Sequence, residues 1–220
     1  RLDSWRQYDG GRVERDRTTG ATLRDDSFAE QDGFSPNGRL GVSAQLSRTV
    51  RASPDCIVCS PFERSLRSAE PISARFPRVP LLVWPAIREF TYLAPDRYSG
   101  TSPFTRLPAV EAYWARSDPN YIDGKGAESF STFISRVSDA SRAMEELHRS
   151  GVRSLIVVGH GLWGLAWLLT VVEGKASETQ GRLGMQSLRI RSQTSPIQNG
   201  GGFSATFDGK RWSKGLELSL

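Results

Sequence analysis

Two basic side chains directly follow short apolar segments of the chain, at positions where they could bind an anion. Arg64 lies in Ser60-Pro61-x-x-Arg64, immediately after the apolar residues 56–59. A helix that begins here, with Ser60 as its cap, would direct free backbone amides outward, and Arg64 would lie in its first turn. A guanidinium beside a helix N-terminus suits an oxyanion, whereas the alternative interpretation is an ordinary surface arginine.

The second basic position is His160, which stands between Gly159 and Gly161 after the apolar run 154–158. The two glycines would let backbone and ligand approach each other closely. The alternative is a structural histidine, hydrogen-bonded at a strand end. The other histidine, His148, falls near the end of a long amphipathic pattern and is predicted to be solvated or to cap the helix.

Glu89, in Ala86-Ile-Arg-Glu-Phe90, is the carboxylate that we consider as a proton donor, although spacing alone favours this role only weakly. With two histidines at this spacing the sequence predicts no metal cluster. It also contains neither a Gly-x-Ser-x-Gly elbow nor a phosphate-binding loop that ends in Gly-Lys-Ser/Thr.

Cys56 and Cys59 form a Cys-x-x-Cys pair, a spacing that can indicate metal or redox chemistry. Their segment is typical of a buried strand, however, and residues three apart on a strand point to opposite faces. No second pair exists to complete a zinc site. We therefore predict two buried thiols.

Apolar periodicity predicts alternating strands and helices through the middle of the chain. The predicted strands are 56–59, 79–84, 154–158, 185–191, 203–207 and 211–217, and the predicted helices are 35–50, about 60–76, 107–117 (weakly), 127–147 and 162–172, with loops at 1–33, 85–100 and 118–126. The run 154–158 is expected to be covered on both faces. This order indicates one α/β domain with a mostly parallel sheet and helices on both sides. Ligands of such sheets collect at the carboxyl ends of the strands, where Arg64 and His160 fall.

Composition limits the classes of function. The 220 residues suit one domain with a proper core, and the net charge of +5, with a pI near 9.6, reflects either a plain basic surface or attraction of anionic substrates. No run of Lys and Arg is interleaved with aromatics, so we expect no nucleic-acid partner. The longest apolar stretch, 162–172, is too short to cross a bilayer, and no secretory leader is visible. We expect a cytoplasmic protein without a membrane partner.

The order of four short motifs resembles the histidine phosphatase (phosphoglycerate mutase-like) superfamily. The motifs are Ser60-Pro61-x-x-Arg64, Glu89, Gly126-Ala-Glu-Ser129 and Gly159-His160-Gly161. Phe34-Ser-Pro-Asn-Gly38 is similar to a helix entry of that family, and Ser68-Ala-Glu70 to the segment after its arginine. The resemblance covers residues 30 to 170 and implies a three-layer sandwich with a mostly parallel central sheet.

The resemblance also implies roles for individual residues. Arg64 would clamp phosphoryl oxygens, His160 would stabilise charge on the transferring group, and Glu89 would protonate the departing alcohol. The implied substrate-binding positions are Arg64, Ser60, Gly161, Glu128 and Ser129, and no metal or organic cofactor is required. The region between Glu89 and Glu128 would line the pocket mouth; its Tyr92, Arg97, Tyr98, Phe104 and Arg106 would suit an organic phosphate with a ring or a second anionic group, or would pack a lid.

One departure from the family pattern divides the functional interpretations. The family nucleophile is a histidine in Arg-His-Gly at the end of a central first strand, and this triplet is absent from the sequence. The opening Arg1-Leu-Asp-Ser-Trp5 is similar to the family's segment just after that triplet, so we expect the chain to start immediately beyond the strand, whose loss would leave unpaired backbone groups in the core. Neither His148 nor His160 occupies the nucleophile's place.

We therefore consider two functions from different classes. The first is a phosphomonoester hydrolase that acts through a phosphohistidine on a small organic phosphate, with a mutase disfavoured. The alternative is a catalytically inactive binding or scaffold module that lacks the nucleophile. A nucleic-acid binder would need a continuous basic face, which the sequence does not show. The substrate and the oligomeric state stay open.

Overall fold

The computed structural model describes residues 6–7, 52–174 and 180–218, and a four-stranded mixed sheet forms its centre. The strands are β1 (Arg6–Gln7), β2 (Cys56–Cys59), β3 (Leu81–Val83) and β4 (Leu155–Val158), in the spatial order β1-β3-β2-β4. β2 is parallel to both β3 and β4, whereas β1 runs antiparallel to β3. The sheet is therefore mostly parallel.

Six α-helices and a separate hairpin complete the described part of the chain. The helices are α1 (Glu63–Arg75), α2 (Pro95–Tyr98), α3 (Pro103–Arg116), α4 (Phe130–Arg149), α5 (Gly161–Trp167) and α6 (Gly181–Thr194). A 3-10 turn spans Pro85–Ile87, and α5 continues as a π-helix over Leu168–Val172. β5 (Gly202–Phe207) and β6 (Trp212–Leu218) form the antiparallel hairpin. No described helix is both long and apolar enough to cross a membrane.

Two apolar clusters lie on opposite faces of the sheet because strand side chains alternate. On one face, Ile57 and Cys59 pack with the buried residues of α1, Leu66, Ala69 and Ile72. On the other, Cys56 and Val58 join the larger cluster, to which α3, α4, α5 and α6 contribute. The chain is thus a three-layer α/β sandwich, as predicted. The two thiols are buried and lie on opposite faces, which confirms the interpretation of the Cys-x-x-Cys pair.

Hydroxyl caps set the starts of two helices. Ser129 Oγ accepts a hydrogen bond from Thr132 N, so α4 begins at Phe130, three residues after the predicted start. Ser102 caps α3 in the same way, with Pro103 in its first turn, so this helix begins four residues before its predicted start. The predicted apolar stripe of α4 is buried from Phe130 to Met144. Helical periodicity therefore located the core face more accurately than the ends.

One strand prediction needs correction. Residues 185–191 belong to α6 and not to a strand: Leu188 and Ile190 alternate with arginines, but Met185 and Leu188 are buried while Ile190 is 59% exposed.

β4 is half-buried and has apolar neighbours on both faces, as predicted. Leu155 and Val157 pack against the larger cluster, and Ile156 and Val158 pack against the smaller one.

Smaller differences concern the loops. Arg6 and Gln7, predicted as loop, pair with β3. The predicted strand 79–84 is reduced to Leu81–Val83, and the predicted loop 85–100 contains the 3-10 turn and α2. The predicted helix 35–50 and the segment Phe34–Gly38 lie outside the described residues.

Candidate functional site

The ends of β2 and β4 lie side by side, and this places Ser60 next to His160. Cys59 is opposite Val158 in the register of the two strands, and Ser60 N donates to Val158 O at 3.0 Å. The Ser60 hydroxyl is 2.7 Å from His160 Nε2, and the Ser65 hydroxyl is 3.3 Å from the same nitrogen. Parallel pairing thus brings together residues one hundred positions apart.

Arg64 and His160 both contact the ring of Phe62. The Arg64 guanidinium carbon is 4.8 Å from the centre of the Phe62 ring, and the His160 ring packs edge-on against it with centroids 5.1 Å apart. Arg64 lies in the first turn of α1, as predicted. Ser60 is not the N-cap, however: α1 starts at Glu63 after Phe62, and Ser60 Oγ accepts from Phe62 N at 3.3 Å.

The Glu89 carboxylate lies at the beginning of α5. Its Oε1 accepts hydrogen bonds from Phe90 N at 2.9 Å and Trp163 N at 3.2 Å, and its Oε2 accepts one from Leu162 N at 3.3 Å. The first amides of a helix have no partner within the helix, and a carboxylate there is favourable. Because α5 follows His160 directly, these bonds hold Glu89 at the same edge of the sheet as the imidazole.

Burial shifts the pKa values of Glu89 and His160 in opposite directions. Burial raises the pKa of Glu89, while the Phe90 amide and the nearby charge of Arg64 oppose this change. The pKa of His160 is held well below its usual value, first by burial and then by the charges of Arg64 and Arg136. The ligand-free site at neutral pH therefore contains a neutral imidazole and a carboxyl group that protonates more readily than usual.

The glycines on either side of His160 are not required by the packing of the described residues. A Cβ on Gly159 would come no closer than 3.9 Å to Ile87 O or the Trp163 ring, and one on Gly161 would be 3.6 Å from Ile197 O. Both are ordinary contact distances. The expectation that these glycines allow a ligand to approach stays a prediction.

Glu128 and Ser129, expected beside the pocket, both have structural partners. Glu128 is buried and accepts hydrogen bonds from Arg88 Nη2 at 3.1 Å and from Arg136, while Ser129 caps α4. These bonds fix the start of α4 against the segment that carries Glu89. Substrate contact at either residue stays a prediction, as it does for Ser60 and Gly161.

The side chains expected at the pocket mouth have several different environments. Tyr92 packs among Tyr113 and Trp114, with ring centroids 4.9 and 5.4 Å away. Arg106 is buried and donates to Thr101 O at 2.5 Å, and Arg97 pairs with Asp123 at 2.9 Å. Tyr98 is half-buried with Arg97 above its ring, whereas Phe104 is 85% exposed. Tyr92 and Arg106 therefore pack within the protein, and both substrate contact and a lid in this region stay predictions.

His148 lies in the last turn of α4, as expected, but it is not simply solvated. The ring is half-buried and packs edge-on against Phe207 of β5, with centroids 5.4 Å apart. Arg153 Nη1 lies 3.3 Å from its Nε2.

Sequence reasoning missed Arg136 and Ser65. Arg136 lies on α4, where its guanidinium donates to Glu128 and to the carbonyls of the Glu89 segment. The available signal was its position at the edge of the apolar stripe, three residues after Phe133 and four before Ala140. Ser65 follows Arg64 directly, and nothing in the local pattern distinguishes it from a helix serine.

The fold and this arrangement define an α/β protein with a guanidinium, an imidazole and a buried carboxyl group gathered at the carboxyl ends of parallel strands. The family model for the histidine phosphatase superfamily (branch 1) matches residues 33–192. The chain belongs to that superfamily. A search of curated protein sequences found no significant match.

Solved structures share the fold at low sequence identity. The alpha-ribazole phosphatase from Shigella flexneri has a TM-score of 0.63 at 14% identity, with 84% of this chain and 83% of that chain covered. A mycobacterial glucosyl-3-phosphoglycerate phosphatase complexed with VO3 has a TM-score of 0.61 at 18% identity, covering 84% and 86%. The phosphoserine phosphatase from Entamoeba histolytica has a TM-score of 0.58 at 16% identity, covering 85% and 84%.

Proposed function

We propose that this protein is a phosphomonoester hydrolase that acts on a small organic phosphate through a phosphohistidine intermediate. The observation that carries the proposal is that Arg64 and His160 both lie against the Phe62 ring, with Glu89 held at the start of the helix that follows His160. Membership of the histidine phosphatase superfamily supports the same chemistry.

The geometry supplies what phosphoryl transfer requires, which is positioning and charge neutralisation. The Arg64 guanidinium offers paired donors to the phosphoryl oxygens, and the His160 imidazole offers a further contact. A bound dianion favours the protonated imidazole, since an opposite charge counteracts the burial that now lowers the His160 pKa.

The reaction has two balanced steps. A histidine nitrogen forms a bond to phosphorus as the bond to the alcohol oxygen breaks, and Glu89 donates its proton to that oxygen. Water then attacks the phosphohistidine, Glu89 takes a proton from the water, and the P–N bond breaks to release phosphate. The raised pKa of Glu89 favours the protonated form that the first step needs. The proposal requires a nucleophilic histidine in an Arg-His-Gly segment, which neither His148 nor His160 supplies.

The names of the structural neighbours support a small phosphorylated substrate. They include phosphatases named for alpha-ribazole and for glucosyl-3-phosphoglycerate, and one neighbour was solved with 3-phosphoglyceric acid. For this chain we propose an organic phosphate that carries a ring or a second anionic group. The exposed Phe104 ring, in the region expected at the pocket mouth, supports this choice.

The second candidate is an inactive phosphate-binding module. The observation that favours it is the histidine content: the 220 residues contain only His148 and His160, and neither has the position of the nucleophile. Such a module would hold phosphate between Arg64 and His160 without turnover.

The decisive experiment assays the complete natural gene product, including whatever the gene encodes before Arg1. We expect hydrolysis of p-nitrophenyl phosphate and, after a rapid quench with a ³²P-labelled phosphomonoester, a labelled protein adduct that is labile to acid and stable to base. Arg64→Ala should reduce kcat/KM by about 100-fold or more, because the guanidinium that would bind the phosphoryl oxygens is lost. Arg67→Ala is the matched control, since Arg67 lies on the same helix, is exposed and pairs with Glu63.

Each outcome separates the two candidates. Turnover with a trapped adduct supports the enzyme. Phosphate binding that depends on Arg64, without turnover and without an Arg-His-Gly segment in the gene, supports the module. An Arg64→Ala variant with normal activity would contradict the assignment of this pocket.

A further inference from the structure

We propose that Arg136 is a positioning residue that fixes Glu89 for proton transfer, holding the backbone on which this carboxyl group is mounted. The catalytic part of the inference rests on the proposed function, because only a general acid needs its carboxyl group held at one place. The structural part does not depend on turnover.

The Arg136 guanidinium spans the segment that leads to Glu89. Its Nη1 donates to Ala86 O at 2.9 Å and to Arg88 O at 2.8 Å, and its Nη2 donates to Glu89 O at 3.4 Å. The planar guanidinium of Arg136 thus connects α4 to three of the four backbone carbonyls of residues 86–89. Only arginine has a fork of donors rigid enough to satisfy acceptors in several directions at once.

A buried carboxylate fixes the guanidinium itself. Arg136 Nε donates to Glu128 Oε2 at 3.2 Å, and Nη2 donates to Oε1 at 2.5 Å. The side chains of Arg136 and Glu128 are only 11% and 5% exposed. A buried pair with its hydrogen bonds satisfied has little freedom, so the fork is held in one orientation.

The carboxyl end of Glu89 is held by a second element. Trp163 of α5 donates from Nε1 to Ala86 O at 3.0 Å, the same carbonyl that Arg136 binds, and from its backbone N to Glu89 Oε1. Glu89 is therefore fixed at its backbone from α4 and at its carboxyl group from α5. Loss of the Arg136 guanidinium would release the backbone of Glu89 from α4.

The charges around Glu89 come from several elements. Arg64 on α1 and Arg136 on α4 supply positive charge, while Tyr92 lies on the loop beyond Glu89. A substitution at residue 136 that keeps the positive charge therefore separates the positional effect from the electrostatic one. Lysine does so, since its single ammonium group cannot reach all the acceptors of the fork.

The test is an NMR titration of the glutamate carboxyl carbons in the complete gene product without substrate, so it requires no turnover. In Arg136→Lys the Glu89 carboxyl should move toward solvent, so its raised pKa should fall back toward the ordinary value. Arg142→Lys is the matched control, because Arg142 lies on the same helix, is exposed and pairs with Asp139. It should leave the Glu89 titration unchanged.

A second variant covers the case in which the lysine protein does not fold. Arg136→Met combined with Glu128→Leu removes both buried charges together, and such a replacement is often neutral for folding. It should release Glu89 in the same way. If Glu89 titrates at the wild-type pH in either folded variant, the positioning role is wrong.

A kinetic comparison on the complete gene product tests the catalytic part. Arg136→Lys should lower kcat/KM about 10- to 100-fold for an alkyl ester such as glycerol phosphate, whose alkoxide must be protonated as it leaves. It should hardly change kcat/KM for p-nitrophenyl phosphate, because p-nitrophenolate departs without a proton and kcat/KM excludes the later hydrolysis of the phosphohistidine, in which Glu89 acts as a base for either ester. Equal losses of kcat/KM on both esters would contradict an action through Glu89 as the proton donor.

The two proposals fail separately. If the wild-type product hydrolyses neither ester, the proposed function fails, yet the NMR titration still decides whether Arg136 positions Glu89. If the product turns over both esters and the Glu89 titration does not respond to residue 136, only the positioning role is wrong.

Discussion

At the scale of single residues, Glu89 and His160 experience the same burial with opposite consequences. Burial disfavours the charged form of either group, so it raises the pKa of the carboxyl and lowers the pKa of the imidazole. The charge of Arg64 opposes the first change and strengthens the second. Both groups thus tend toward neutrality, and a bound anion would favour the protonated form of each.

The raised pKa of Glu89 predicts a specific dependence of stability on pH. Because the folded chain holds this proton more tightly than the unfolded chain, the free energy of unfolding falls as pH rises from the unfolded pKa through the folded pKa. Glu89→Gln cannot ionise, so it should unfold at a higher temperature than the wild type at about pH 8, with the advantage shrinking toward about pH 4.

Thermal unfolding followed by circular dichroism across this pH range checks the prediction on the complete gene product. Glu111→Gln, an exposed glutamate on α3, is the control and should show no such trend. A Glu89→Gln effect of the same size at every pH would show that Glu89 is not held in a raised-pKa environment.

At the scale of elements, β2 shows how strand alternation decides the chemistry of two residues. Cys56 and Cys59 belong to apolar clusters on opposite faces of the sheet. Burial raises the pKa of the Cys56 thiol to about 11 and that of the Cys59 thiol to about 12. Since the thiolate is the reactive form, neither sulfur is suited to redox or metal chemistry in the folded protein.

Replacing both cysteines by serine should therefore leave the site intact. Cys56→Ser with Cys59→Ser should preserve phosphate binding and turnover, while each buried hydroxyl lowers the free energy of unfolding by about 1–3 kcal/mol. Denaturant unfolding and a p-nitrophenyl phosphate assay measure the two effects, with each single variant as a comparison. Collapse of turnover without a change in fold would revive the redox or metal interpretation.

At the scale of the whole molecule, the site depends on convergence of segments that are remote in sequence. Parallel pairing of β2 with β4 joins the Arg64 and His160 regions, and α4 and α5 hold Glu89 between them. A ligand that contacts both strand ends would bind the folded chain alone. It should therefore stabilise the whole fold against unfolding.

Phosphate and vanadate should each raise the thermal unfolding midpoint of the complete gene product, whether or not it turns over. At a ligand concentration of 100 times Kd the gain is about 2.7 kcal/mol, which corresponds to about 5–10 °C for a chain of this size. Arg64→Ala should lose the shift, and sodium chloride at matched ionic strength should not produce it. If neither anion raises the unfolding midpoint of the wild-type protein, both the enzyme and the binding module are contradicted.

Local sequence patterns predicted much of the architecture but failed where the same residues fit both the period of a strand and the period of a helix. The stripe on α4 and the run that forms β2 have one clear period each, and both were located correctly. In α6, Leu188 and Ile190 alternate like a strand, while Met185 and Leu188 have helical spacing. Only packing decides between these, and it buried Met185 and left Ile190 exposed.

The sequence by itself determined the order of the main strands and helices between residues 56 and 172, most of the residues that face the core, and the three side chains to be tested as a site, because periodicity and motif spacing are local properties. Only the tertiary structure decided that Arg64 and His160 both contact the Phe62 ring, and that Arg136 and the amides of α5 hold Glu89. These contacts join segments tens of residues apart. Their geometry depends on how the helices pack on the sheet, which no local pattern specifies.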